Sequence, residues 1–434
     1  MQLTRKQLVI LGGIVAVVIV LVLIGLGIIP GLKVNPVTIK TTSLTVWGVE
    51  DTAQELQSAV QSFAGNHPGV TVAYRQFSDP ETYYTSLIEA LAAGAGPDIF
   101  AIRNTEVMRH LPKLVAMPKE RLSLLTFRST FAPVVERDFV LEGGIVALPL
   151  SMDTLALIYN RDRFNEAGIV SAPATWDDLV AIAPRLSAFD DSRRITRASI
   201  ALGGGTATVP KVLDILSALF LQAGIIPVGP DWGSASFAAS GAYDAVNFYL
   251  QFSNTGSPLY TWNEGMPNAL DAFAQGRVAM TIDYARALPE IRERNPLLDF
   301  AVAPLPQQKA AERSKTMASY WGYAVSRQSK QGRLAWDFIV ETATNPQVVG
   351  AYLNASNRSP AMPKFIETYR DNPNLAVFAQ QTLTADSWPM PNQDLVENIF
   401  SDMVTTVLEN RSSVEIAVGR AQSDISRLIS ARPQ

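Results

Sequence analysis

The chain has no cysteine among its 434 residues. That absence excludes disulfides, thiolate nucleophiles, cysteine-ligated zinc, iron–sulfur centres and lipid attachment through an N-terminal cysteine. Histidine is nearly as scarce, with two residues, so a Ser/His/Asp triad or a histidine-rich metal site is a poor reading. His67 lies in "GNHPGV", a turn ahead of a strand, and His110 follows "NTEVMR", which reads as a solvated helix face. Basic runs are missing too. The 36 Lys and Arg and 40 Asp and Glu are spread thinly, for a net charge of −4, and no cationic stripe is available to track phosphates. Nucleic acid is therefore not an expected partner. The triplet Gly203, Gly204, Gly205 is not followed by the Lys-Ser/Thr of a phosphate loop.

What the sequence does have is one long apolar run at its start, Leu8 to Ile29. Its roughly 22 uncharged residues, at ~1.5 Å each, are enough to cross a ~30 Å hydrocarbon layer. A secretory signal has a shorter core, about 7 to 15 residues, and a small-residue cleavage site; this run leads instead into "PGLKVNP". An uncleaved single-span transmembrane helix with a Pro-broken tether is expected over residues 1–42. Arg5 and Lys6 precede the run, which puts the amino end in the cytoplasm and the globular part outside the cell membrane.

From Ser43 onward short β-like runs alternate with helical periods, the pattern of an α/β architecture with parallel strands. The strand candidates are "LTVWGV", "VTVAYRQF", "DIFAI", "IVALPL", "LALIYN", "VAMTI", "DFAVAPL" and "YAVS". In "TWDDLVAIAPRL" Thr175 is an N-cap candidate with Asp178 three residues on, and Pro184 predicts a kink or an early end. "PKVLDILSALFLQAG" opens on Pro210, turns Val212, Ile215, Leu216, Leu219 and Phe220 inward, and stops at Gly224. The Gly-, Pro- and Ser-rich loops "ALGGGTATVP", "PVGPDWGSAS" and "NRSPAMP" read as flexible rims of a cleft. One strand set comes early, helices fill the middle, and further strands follow residue 277. That order predicts two lobes joined by a multi-crossing hinge: 43–146 with 299–342, and 147–298 with 343–434.

"GRVAMTIDYARAL" ends a short strand, Val278 to Ile282, on Asp283, Tyr284 and Arg286. The carboxyl ends of such strands are where α/β sheets hold ligands. No nucleophile or tuned base stands beside them, so a grip rather than a reaction is expected.

Several stretches together, "VWGVED", "FAGNHPGVTV", "YYTSLIEALAAGAGPDIFAI", "GGIVALPLSMDTLALIYNRDRFNEAGI", "PATWDDLVAIAPRL", "AFAQGRVAMTI" and "YWGYAVSRQSKQGRLAWDFIVETATNPQ", resemble the bacterial extracytoplasmic solute-binding proteins of sugar-importing ABC transporters, the group that includes maltose-binding protein. "SSVEIAVGRAQSDISRLI" is similar to that family's closing helix. The resemblance implies a two-lobe periplasmic-binding-protein-like fold, a monomer without a cofactor, that closes on a small polar solute, most often a sugar, and hands it to permease subunits. It also implies site positions. The turn after "PDI" offers Asn104 beside Arg103 and Glu106, and the loop after "ALPL" offers Asp153. After "AM.I" many members carry a stacking Trp; here Asp283, Tyr284 and Arg286 stand instead, a departure from maltodextrin-like stacking. Trp321, Trp47 at the end of the first strand, and the loop residues Trp232 and Trp388 complete the expected ligand contacts. Three other readings are weighed against this one: a membrane-anchored carbohydrate-active enzyme using two carboxylates, a ferric-ion binder using the doublet Tyr83-Tyr84, and a tethered ligand sensor.

Overall fold

The computed structural model describes residues 5–25, 41–229, 231–309 and 311–431. The chain divides into two units, Met1–Thr42 and Ser43–Gln434. The first contains the helix Arg5–Gly25, whose described side chains are mostly exposed, among them Leu11, Ile14, Val17 and Leu21. Among the described residues no helix is long and apolar enough to cross a membrane. The structure thus gives no support to the transmembrane helix expected here, and most of the expected tether lies outside the described residues.

In the second unit two sheets are built on β-branched and aromatic runs. The first has the order Val70–Gln76, Thr42–Gly48, Ile99–Arg103, Trp321–Ser326, Leu114–Val115, with Leu148–Pro149 also pairing Trp321–Ser326. The second runs Ala188–Phe189, Ile195–Ile200, Val278–Asp283, Ala156–Asn160, Phe300–Ala303. The parallel pattern expected from sequence holds only in part. Thr42–Gly48 is parallel to Ile99–Arg103, and Ile195–Ile200 to Val278–Asp283. Trp321–Ser326 and Ala156–Asn160, each following a crossing from the other lobe, run antiparallel to their neighbours. "IVALPL" is not one strand but two short pieces, Gly144–Ile145 and Leu148–Pro149.

The crossings form a small sheet of their own: Thr316–Ser319 lies between Asp153–Thr154 and Ala385–Asp386. On either side sits a separate apolar core. One gathers Leu44 to Met152 with Ala318 to Met362, the other Leu155 to Leu305 with Tyr369 to Ile429. The pairing relocates two of the expected boundaries. Phe300–Ala303 joins the second sheet through Val302 and Ile158, and the helix Pro346–Ser356 buries Val348, Val349, Tyr352 and Leu353 in the first core.

Local chemistry accounts for the helix ends. Thr175 and Asp178 exchange side-chain and backbone hydrogen bonds in a capping box, at 3.1 and 3.0 Å, and the helix continues through Pro184 to Leu186. The helix Val212–Gln222 starts after Pro210 and buries the five expected side chains. Gly224, past its end, takes φ +78°, which glycine adopts without strain. The Gly203 to Gly205 loop is buried, not a flexible rim. Gly205 N donates to Glu264 at 2.6 Å and Thr206 N to Ser401 at 3.0 Å, and a Cβ on Gly204 would collide with the Thr208 hydroxyl. His110 is also buried, stacked on Tyr84 at 5.1 Å, not on a solvated face. His67 meets Glu341 at 2.7 Å.

Candidate interlobe binding site

A cavity of about 500 Å³ opens between the lobes beside the crossings. Its first-lobe wall carries Glu50, Asp51, Trp321, Tyr323, Tyr352 and Arg358; the facing wall carries Arg286, Arg292 and Asn374, with Asp153 at the hinge between them.

Asp51 follows the Thr42–Gly48 strand and organises the first wall. It accepts from the Tyr323 hydroxyl, from the Tyr352 hydroxyl at 2.7 Å and from Arg358 Nη1 at 2.7 Å. Burial, reinforced by the Asp51 charge, keeps both tyrosines protonated far above their ordinary range. Desolvation opposes the Arg358 charge, but Tyr352, Asp51, Glu50 and Glu55 outweigh it and hold its pKa above the ordinary value. Trp321 and Tyr323, two residues apart on one strand, share a face. Trp321 is half-buried, with Tyr84 at 5.7 Å and the Arg103 guanidinium at 5.1 Å from its ring.

At the hinge Asp153 accepts the backbone N–H of Ala285 at 3.0 Å and of Arg286 at 3.2 Å. Burial pushes its carboxyl up to about 6, against the pull of Arg286 and those N–H donors. Arg286 stacks over the Tyr284 ring at 4.3 Å and donates to Ser319 at 3.3 Å. Desolvation works against its charge too, yet Glu50, Asp153 and Asp283 raise its pKa. The Glu50 share acts across the cleft.

Of the nine expected contacts, the structure brings Asp153, Arg286 and Trp321 to this cavity. Asp283 lines an adjoining groove of about 340 Å³ with Lys211 and Arg286, where its carboxylate accepts Tyr284 N at 2.7 Å and burial raises its pKa. Tyr284 is fully buried beneath Arg286, so it supports the site without lining it. Asn104 is buried as well, bridging Asp138 at 3.0 Å and Tyr320 N at 3.2 Å; Asp138 also takes the hydroxyls of Tyr320 and Ser387 beside the crossings. Trp47 packs on Phe77 at 5.1 Å, under Arg75. Trp232 lies against the second core with φ 55°, and Trp388 is fully buried, donating to Ser217 at 2.9 Å. Glu50, Asp51, Tyr323, Tyr352 and Arg358 were missed. The strand-end rule that singled out Asp283 applies equally to Glu50 and Asp51, whereas nothing local marks Tyr352 or Arg358.

Tyr83 donates to Ala101 O at 2.6 Å and Tyr84 accepts from Arg103 N at 3.2 Å, both inside the first core. Among the described residues no group of three or more acidic or histidine side chains is placed to hold a metal. The cavity offers an indole and phenol rings beside charged hydrogen-bonding groups, which suits a compact ligand with hydroxyls and an apolar face.

A family model described as bacterial extracellular solute-binding protein matches residues 48–348. The chain belongs to this family. No curated protein matches the chain. Among solved structures of solute-binding proteins, the cyclic alpha-maltosyl-1,6-maltose binding protein from Arthrobacter globiformis superposes with a TM-score of 0.75 at 18% identity, over 90% of this chain and 99% of that one. The sugar-binding protein MalE from Xanthomonas citri gives 0.74 at 18%, over 90% and 98%. The ABC substrate-binding protein Lmo0181 from Listeria monocytogenes, in complex with cycloalternan, gives 0.70 at 17%, over 90% and 99%. At these identities the likeness establishes the two-lobe solute-binding fold.

Proposed function

We propose that this solute-binding protein is the extracytoplasmic receptor of an ABC importer, closing on a small carbohydrate and delivering it unchanged to permease subunits. The observation that carries the reading is the interlobe cavity, which sets Trp321 in one wall, Arg286 in the other and Asp153 at the hinge between them. Charged hydrogen bonds contribute about 1.5 to 3 kcal/mol each, so a few of them together with ring contact reach the roughly 8 kcal/mol of micromolar affinity after association costs. The related structures whose names record cyclic maltosyl-maltose and cycloalternan support a sugar as the solute class. The ligand contacts we assign are Trp321, Asp153, Arg286 and, at the groove beside them, Asp283. The apolar run from Leu8 to Ile29 is proposed as a membrane anchor: the helix Arg5–Gly25, which overlaps it, leaves Leu11, Ile14, Val17 and Leu21 exposed, and such a surface needs an apolar medium around it.

Titration calorimetry of residues 43–434 with maltose, maltotriose and mannobiose is expected to give micromolar binding to at least one, weakened at least tenfold by Trp321→Ala or Arg286→Ala. A panel of sugars that all fail to bind, or a sugar recovered cleaved, overturns the proposal.

A further inference from the structure

The lobes touch directly at a place outside the cavity. Thr105 Oγ1 donates to Gln393 Oε1 at 2.7 Å, and Met390 N donates to Thr105 O at 2.6 Å. Gln393 N donates to Glu106 Oε1 at 3.2 Å, and Arg103 Nη1 lies 3.7 Å from Asp394 Oδ1. Val107 belongs to the first core, Met390 and Val396 to the second, so all four contacts cross from lobe to lobe. Thr105 and Glu106 are only 3% and 1% exposed there.

Arg103 also packs on a residue of the cavity wall. It is the register partner of Trp321, and its guanidinium lies over the indole at 5.1 Å. One side chain thus joins the interlobe contact to the aromatic surface of the site. Glu106 is held from its own lobe as well, with Arg109 Nη1 3.1 Å from Oε1 and Arg103 Nη1 3.8 Å from Oε2, which takes no hydrogen bond.

We propose that Arg103, Thr105 and Glu106, with Met390, Gln393 and Asp394, form a clasp that holds the lobes together before any solute binds, with Arg103 as the positioning residue that sets the Trp321 ring. A receptor already biased to its closed state loses less affinity to the closing equilibrium. The inference goes beyond the carbohydrate reading and is tested without a ligand, so the two fail separately.

Because the chain has no cysteine, Leu125→Cys and Val170→Cys, at exposed positions on the first and second lobe, can carry a spin-label pair in the full-length protein in detergent. Pulsed dipolar spectroscopy without ligand is expected to give one narrow distance distribution. In the Gln393→Ala/Asp394→Ala background a longer-distance population is expected to rise several-fold. Asp394 is exposed, so Asp394→Ala alone serves if the double variant melts early. An unchanged distribution in a folded variant overturns the clasp. For the positioning role, the fluorine resonance of 5-fluorotryptophan at Trp321, assigned with Trp321→Phe, is expected to shift in Asp394→Ala; a resonance that stays in place removes Arg103 from that role.

Discussion

Asp153 ties a crossing strand to the turn after Val278–Asp283 by accepting two of its backbone N–H groups. Its carboxyl, pushed up to about 6 by burial, holds its proton more tightly in the folded protein than in the unfolded chain. The resulting stabilisation is full below the ordinary aspartate range near 4 and is lost as pH rises from there to about 6. Urea unfolding from pH 4 to 7 should therefore show the parent losing stability relative to Asp153→Asn across that window; parallel curves would mean the carboxyl titrates normally. Residue by residue, the strand-end rule pointed to Arg286 at the cavity but also to Asp283 and Tyr284, which lie in a groove beside it and in the core, while Asp153 came only from the family resemblance. The sequence misled for Trp47, Tyr284 and Trp388, expected as ligand contacts, because an aromatic ring has the same reason to enter a core as to line a cleft, and only the path of the neighbouring chain separates the two.

At the scale of elements, Asp51 fastens the Trp321–Ser326 strand, the Pro346–Ser356 helix and the segment at Arg358 to the end of the first strand. Asp51→Ala would take the carboxylate acceptor from the buried Tyr323 and Tyr352 hydroxyls and from Arg358, which keeps Glu50 O. A loss of about 3 to 5 kcal/mol is expected in chemical denaturation, and one under about 1 kcal/mol would show that water replaces the carboxylate. Most long elements were legible, since their apolar spacing and caps are local. Which sheet a strand joins is not local: Phe300–Ala303 has a composition that suits either sheet, and only its pairing with Ala156–Asn160 assigns it.

At the scale of the whole molecule, the two cores and the crossings all lie within residues 43–434. That portion should fold and melt cooperatively without residues 1–42, while the full chain partitions with membranes and resists extraction by carbonate. Circular dichroism and membrane fractionation check both halves of the prediction; a fragment without a melting transition would show that the first unit is needed for folding. The order of assembly follows from the discontinuous lobes. The strand that joins Ile99–Arg103 to Leu114–Val115, Trp321–Ser326, leaves the ribosome only after every strand of the second sheet has been made. Until then the nascent first sheet keeps a bare hydrogen-bonding edge, which invites pairing with the wrong chain. Synthesis must outrun that hazard, or a chaperone must cover the edge, and a transcript interrupted before residue 321 would yield an aggregating product rather than a half-functional one.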